Sequence, residues 1–212
     1  MLFFVSSDKQ AERSRKTRAK IVAAACELFV EKGYGATSLQ DVATRAGVAV
    51  QTIYFVFGAK RALFKDVVDT TIAGDAEPVE TMGRDWFRRA VAAPTAAEHV
   101  RLHVRGTRPV MDRVAPIIPV IAAATATDPE IPALWPDRDP RYTVLHTTAK
   151  SLVTKPGART GVSARHAADV LYGVLSPELY LVFTRERGWS PAKWEKWARE
   201  TLLQQLCEAA GS

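Results

Sequence analysis

The stretch Thr37-Ser-Leu-Gln-Asp-Val-Ala-Thr-Arg-Ala-Gly-Val-Ala-Val-Gln-Thr-Ile-Tyr-Phe-Val-Phe-Gly-Ala-Lys60 decides the fold. It reads as two short helices meeting at a tight turn. Thr37 or Ser38 can cap the first helix. Gln40 and Asp41 each follow one of them by three residues, so two overlapping capping boxes are available. Leu39, Val42, Ala43 and Ala46 give that helix one apolar face. Gly47 supplies the permissive backbone that ends it, and Val48 buries the turn. The second helix carries Ile53 inward and leaves Val50, Gln51, Thr52, Tyr54 and Phe55 largely outward. Two crossed helices joined at a glycine turn can present one helix end to the major groove of DNA.

The charge distribution points the same way. Of the net +6, residues 1–65 hold 11 Lys and Arg against 5 Asp and Glu, whereas residues 66–212 balance 18 against 18. Arg13, Arg15, Lys16, Arg18 and Lys20 cluster before the apolar pattern begins, which by itself fits either a solvated basic tail or a phosphate-binding arm. Beside a helix-turn-helix the second reading is favoured, since phosphate neutralisation supplies most non-specific affinity for DNA.

From Lys16 to Phe64 the chain resembles the TetR family of transcriptional regulators. The resemblance is carried by the lead helix ending in Phe29-Val-Glu-Lys-Gly-Tyr34, the Thr37-Ser38 pair, Asp41-Val-Ala, Ala46-Gly-Val, Thr52-Ile-Tyr, Phe57-Gly-Ala-Lys60 and Ala62-Leu-Phe64. It implies an all-α fold: an N-terminal three-helix DNA-binding domain and a C-terminal helical domain for ligand binding and dimerisation. It also implies contacts to duplex DNA from Thr37, Ser38, Gln40, Val50, Gln51, Thr52, Tyr54, Phe55 and Lys60. Thr37 and Ser38 serve equally well as plain caps, and Tyr54 as a core residue with an exposed hydroxyl. Three positions depart from the family pattern. Ala49 stands where a capping serine is frequent, Val50 where lysine is, and Phe55-Val56 where histidine and tyrosine are. The recognition helix is therefore less polar than usual, although apolar side chains can still read thymine methyl groups.

Helical spacing continues to the C-terminus, and no alternating run suggests a strand. The lead helix, with Ile21, Ala24, Ala25, Leu28 and Phe29 on one face, ends at Gly33. A fourth helix, with Leu63, Phe64, Val67, Val68 and Ile72, ends near Gly74. Further helices are expected at 84–92, 95–112, 116–127, 141–154, 163–187 (bent at Pro177) and 191–209, giving nine or ten in all. The expected division is a flexible tail at 1–14, the helix-turn-helix domain at 15–61 and the ligand-binding and dimerisation domain at 62–212.

In that second domain the resemblance implies a small-molecule pocket, with an effector the sequence does not name. Trp86, His103, Met111, Trp135, Tyr142 and His146 are the aromatic or polar-tipped candidates for its wall. Each is also an ordinary core residue by type. His99 and His103 lie four apart on one helix face, but two histidines without a third ligand are weak grounds for a metal. Leu171, Leu175, Leu179, Trp194, Leu202 and Leu206 give the last two helices more apolar surface than one monomer needs, so a symmetric four-helix dimer interface is expected there.

The alternative is a DNA-binding regulator or architectural protein without a small-molecule ligand, its input a protein partner; an enzyme finds little support. There is no glycine-rich phosphate loop, nucleophile elbow, His-Glu-x-x-His or paired carboxylate in an apolar setting, so an enzyme, a cofactor and a metal are not expected. No run of 18 apolar residues suggests a membrane span. Met1-Leu-Phe-Phe-Val5 is too short for a signal peptide's apolar region. Two cysteines, Cys26 and Cys207, imply neither a disulfide framework nor zinc, and fit a reducing cytoplasm.

Overall fold

The computed structural model describes residues 4–74, 81–135 and 140–209. The described residues form eleven α-helices joined by 3-10 and π turns, with one isolated bridge, Ala158 to Cys207, and no strand. The all-α expectation holds. The chain divides into two compact units, residues 1–76 with 116–136, and residues 77–115 with 137–212.

The first unit contains α1 (Phe4–Ala36), α2 (Leu39–Ala46), α3 (Val50–Phe57), α4 (Lys60–Ala73) and α7 (Ile118–Thr127). α1 turns out of helical geometry at Gly33, whose φ of 82° lies in the left-handed region that favours glycine. Ile21, Ala25, Leu28 and Phe29 of α1 are buried against Val42 and Ala43 of α2, Ile53 of α3, and Leu63, Phe64, Val67 and Val68 of α4. Val120 and Ala124 of α7 close the same core. At its centre Phe64 meets Phe29 edge-on at 5.2 Å and Tyr34 at 4.8 Å.

Two expected boundaries change here. Residues 4–14, expected as a flexible tail, continue α1. No proline or glycine interrupts them, and Glu12 pairs with Arg15 and Lys16 one turn on, at 2.9 and 3.2 Å. The helix-turn-helix domain also does not end at 61. The apolar face of α4 is buried in its core, and Arg61 binds Asp128 beyond α7 at 2.9 Å.

The second unit contains α5 (Asp85–Val91), α6 (Ala96–Val114), α8 (Pro140–Leu152), α9 (Ala164–Val174), α10 (Pro177–Leu181) and α11 (Pro191–Leu206). α6 is its axis, with α5, α8 and α11 packed against it. Thr95 caps α6, its hydroxyl accepting from Glu98 N–H at 3.2 Å. The expected bent helix at 163–187 is instead three pieces: α9, α10 and a π turn at Val182–Glu186. Pro177 has no N–H with which to continue α9, and Ser176 caps a new helix by accepting from Leu179 N–H at 2.9 Å. The C-terminal end is clamped to the 155–162 loop by Arg159 N–H on Leu206 C=O and Glu208 N–H on Gly157 C=O.

The helical run Ala96–Thr127 is apolar and long enough to cross a membrane by length and composition, contrary to the expectation from sequence; core helices pass the same test. Within it α6 buries Val100, Val104 and Met111 in the second unit's core, and α7 buries Val120 and Ala124 in the first unit's.

α5 approaches α6 where α6 has no side chain. A Cβ placed on Gly106 would lie 2.2 Å from Cε3 and 2.6 Å from Cδ2 of Trp86, so the indole rests on bare backbone. Gly106→Ala must displace the ring, and the overpacking cost of about 1–3 kcal/mol outweighs the helix-propensity gain of about 1 kcal/mol. Gly173→Ala in α9 meets nothing within 4 Å. Thermal unfolding should show a lower Tm for Gly106→Ala and an unchanged or higher Tm for Gly173→Ala.

Candidate nucleic-acid interface and effector core

α2 and α3 are eight residues each, too short to persist alone, so their ends and their contacts with α1 hold them. Ser38 caps α2 reciprocally. Its hydroxyl accepts from Asp41 N–H at 3.0 Å, and the Asp41 carboxylate accepts from Ser38 N–H at 2.9 Å. That backbone N–H holds the Asp41 carboxyl below its usual range. Gly47, at φ 64°, ends α2 in the left-handed conformation, and Val48 N–H returns to Ala43 C=O at 3.0 Å. Arg45 ties the end of α2 to Glu27 and Glu31 of α1.

Of the two possible capping boxes only the Ser38–Asp41 box forms, and Thr37 is corrected as a DNA-facing residue. Only 1 % of it is exposed, and its hydroxyl donates to Gly33 C=O at 2.8 Å and Leu28 C=O at 3.2 Å. It satisfies carbonyls that the break at Gly33 leaves open. Ser38 and Gln40 are exposed beside it.

On α3, Ile53 and Phe57 are buried and anchor the helix. Gln51, Tyr54 and Phe55 form one continuous outward arc, with Tyr54 56 % and Phe55 91 % exposed. Val50 is also corrected. It is only partly exposed and packs against the core rather than standing outward, and Thr52 is half-buried. No side chain caps α3 at Ala49; Thr52 N–H returns to Ala49 C=O at 2.9 Å, and the N–H groups of Val50 and Gln51 ahead of it have no side-chain cap and can face an anion.

Lys60, at the start of α4, is committed within the unit. Its ammonium donates to Gly35 C=O at 3.3 Å and lies 4.4 Å from the centre of the Tyr34 ring, and burial pulls its pKa down. The basic segment of α1 has two sides. Arg18 turns inward, binding Asp66 at 2.7 Å and lying over Phe57. Lys9, Arg13, Lys16 and Lys20 recur at i, i+4, i+7 and i+11, forming one exposed stripe about 16 Å long. The excess charge alone is visible in the sequence as a basic cluster beside an expected tail, and the stripe emerges only once that tail is helical. Helical spacing of the basic residues was the signal for it.

The six pocket candidates do not share one neighbourhood. Trp86 and His103 are in ring contact at 5.7 Å, joined by Phe87 and His99. Met111 is buried two turns further along α6. Tyr142 and His146 stack on α8, with Tyr142 directed to Asp169 and Tyr172 of α9. Trp135 belongs to the first unit, donating to Asp69 at 3.0 Å and packing edge-on against Phe64. His99 was not among the pocket candidates.

The dimer-interface residues are corrected too. Leu171, Leu175, Trp194, Leu202 and Leu206 are at most 1 % exposed in the chain's own core, and only Leu179 is partly exposed. α11 packs against α6 and α9, and α9 against α8, so both helices bury their heavily apolar faces internally. Val182, and in part Val170, Val174, Phe183, Trp197 and Leu203, remain on the surface.

An all-helical chain whose first unit fixes two short helices on a long third, with a polar–aromatic arc outward, is a helix-turn-helix protein. Residues 21–67 match the family of bacterial regulatory proteins, tetR family. The chain is 41 % identical over 85 residues to an uncharacterized HTH-type transcriptional regulator, YezE, of Bacillus subtilis, covering 35 % of this chain and 44 % of that one. The match thus spans less than half of that curated relative. A TetR-family regulator from Mesorhizobium loti superimposes with a TM-score of 0.70 at 23 % identity, covering 92 % of this chain and 99 % of the other. A transcriptional regulator from Saccharomonospora viridis in complex with choline does so at 0.69 and 18 % identity, covering 92 % and 100 %. Residues 21–67 thus carry the DNA-binding segment of the tetR family, and the solved structures share the fold of the whole chain.

Burial pulls the pKa of His99 down to about 4, helped by the nearby Lys155 charge, and that of His103 to about 3, helped by His99. Both imidazoles are neutral in the folded chain at pH 7. Below pH 6.5 the unfolded chain takes up these protons first, so stability falls with pH until about 4 and 3 respectively. The slope is at most about 1.4 kcal/mol per pH unit for each histidine. Urea unfolding between pH 4 and 7 should show this acid limb, and His99→Gln or His103→Gln should flatten it.

Proposed function

We propose that this chain is a ligand-responsive transcriptional regulator. It binds an inverted-repeat operator as a homodimer, acts as a repressor, and is released by a small-molecule effector. The observation that carries the reading is the outward arc of α3. Gln51, Tyr54 and Phe55 have no structural employment on a helix that is otherwise anchored. Such an arc suits base reading: glutamine pairs bidentately with adenine, and the phenyl ring of Phe55 packs on thymine methyl groups. The open N-terminus of α3, Ser38, Gln40 and the α1 stripe hold the phosphates. Lys60 supports this surface from behind.

The tetR-family match over residues 21–67 supports regulation rather than catalysis, and the choline-bound neighbour supports a small-molecule input. The effector would act from the second unit, and the partly exposed apolar side chains Val170, Val174, Val182 and Trp197 are the proposed seat of the partner copy. The site of action is the cytoplasm, where the operator lies.

Selection from random duplexes should yield an inverted repeat, and Gln51→Ala should relax preference at one base pair by about 1–3 kcal/mol. Equal affinity for the selected and scrambled duplexes at physiological salt would sink the proposal. Replacing Lys9, Arg13 and Lys20 by Gln should weaken binding to all sequences. It should also lower the slope of log K against log salt by about 0.9 for each phosphate that the stripe no longer neutralises. An unchanged slope would remove the stripe from the interface. Effector and operator must weaken each other by one common factor, a coupling of about 1–3 kcal/mol, which paired titrations would read.

A further inference from the structure

His99 and His103 lie one turn apart on α6 and are 0 % and 2 % exposed. Neither ring nitrogen of either side chain has a hydrogen-bond partner among the described residues. An unsatisfied buried polar atom costs about 1–3 kcal/mol, so a native chain does not carry such a pair without a reason. The surroundings are apolar and aromatic: Trp86 and Phe87 approach His103 at 5.7 and 6.1 Å, and Ala96, Val100 and Val104 are buried on the same helix.

The nearby charge has one sign. Lys155 donates to Val91 C=O at 2.8 Å and Ala93 C=O at 2.6 Å, closing the end of α5 and leaving one of its three protons over. Its charge bears on His99. The acidic groups of the neighbouring helices are engaged elsewhere: Asp85 with Arg88, Glu98 with Arg101, and Asp112 with the Tyr180 hydroxyl. Each neutral imidazole carries one N–H donor. Two imidazole donors and an ammonium, with no anion among the described residues to receive them, describe a place for a small anionic group inside apolar walls.

We propose that His99 and His103, with Lys155, anchor the carboxylate of a small and otherwise apolar monocarboxylic acid, whose hydrocarbon body lies against Trp86 and Phe87. A cation would meet the Lys155 charge. A neutral amide could bond to the rings but would gain less from the ammonium, an ion–dipole contact in place of an ion pair. The proposal names the effector class for the regulator proposed above and rests on that reading for its consequence, though not for its chemistry.

The test uses the full chain labelled with 15N-histidine, whose long-range proton–nitrogen spectra report each ring nitrogen. His99→Gln and His103→Gln serve only to assign the signals. The probes are phenylacetate, 4-phenylbutyrate and octanoate, each beside its primary amide. At least one acid should shift the ring nitrogens of both histidines and raise Tm. Its amide should bind about tenfold or more weakly, because it cannot make the charge-assisted bond of the carboxylate. Lys155→Met, half-buried and exchanging only the charged tip, should weaken the acid by a similar factor. The proposal fails if none of the acids moves the rings, which then bond only to water, or if acids and amides bind alike. Operator selection with the unliganded wild-type chain is read separately. Its failure would remove the regulator while leaving the carboxylate site, and the reverse result would leave a regulator with another input.

Discussion

The packing of Phe64 against Phe29 and Tyr34 is the contact on which the first unit depends. α2 and α3 bring too few residues to order themselves, and helix formation that short is unfavourable in water. Their orientation is borrowed from α1 and α4. Phe64 joins those two helices through an edge-on contact with Phe29 and a tilted one with Tyr34, and Trp135 closes the group from beyond α7. Around this knot the chain uses one residue for several tasks. Tyr34 fills the core with its ring, accepts Lys60 over its face and directs its hydroxyl to Asp128, which also holds Arg61. The segment after α7 is therefore part of what stiffens the start of α4, although it lies more than sixty residues away in the chain.

The same economy explains which cations are free to face outward. Arg18, Arg45, Lys60 and Arg61 sit in the recognised motif or beside it, and all four are engaged in fixing helices to one another. Exposed ion pairs of this kind contribute little each. Their effect here is geometric, since they set the direction of α2 and α4 relative to α1. The cations that do not bridge helices in this way lie further back, on the α1 stripe. Positive charge near a helix-turn-helix thus has two populations, one structural and one available, and only the helical register separates them.

The fold was legible because the motif residues act locally. Gly47 ends a helix wherever it is placed, Ser38 with Asp41 closes a cap within four residues, and the apolar spacing of α1 and α4 follows from their period. Side-chain direction was less legible. Thr37 and Ser38 are adjacent and chemically alike, yet one is buried because Gly33 leaves a carbonyl within its reach, which no local pattern reveals. Leu171, Trp194 and Leu202 read as interface because their helices are heavily apolar. A helix apolar on several sides gives no indication of which side meets its own chain. Trp135 failed for a different reason: residue type suggested a pocket, while the topology returned its segment to the first unit's core.

The two kinds of residue in the candidate interface follow from that division. Thr37, Ile53 and Phe57 are constrained by what they touch, so changing them changes the fold first and recognition second. Gln51, Tyr54 and Phe55 touch little of their own chain, and substituting them leaves the core and the caps intact. A surface built this way can change its side chains without altering the scaffold that presents them. The less polar character of α3 fits the same logic. Ala49 does not cap and Val50 packs inward, so on the proposed reading the polar work of that helix falls to its backbone N–H groups and Gln51, and phosphate attraction to α1. On the proposed reading, affinity and specificity reside on different helices. The first can be tuned by the charge of the stripe, and the second by three side chains that the fold does not need.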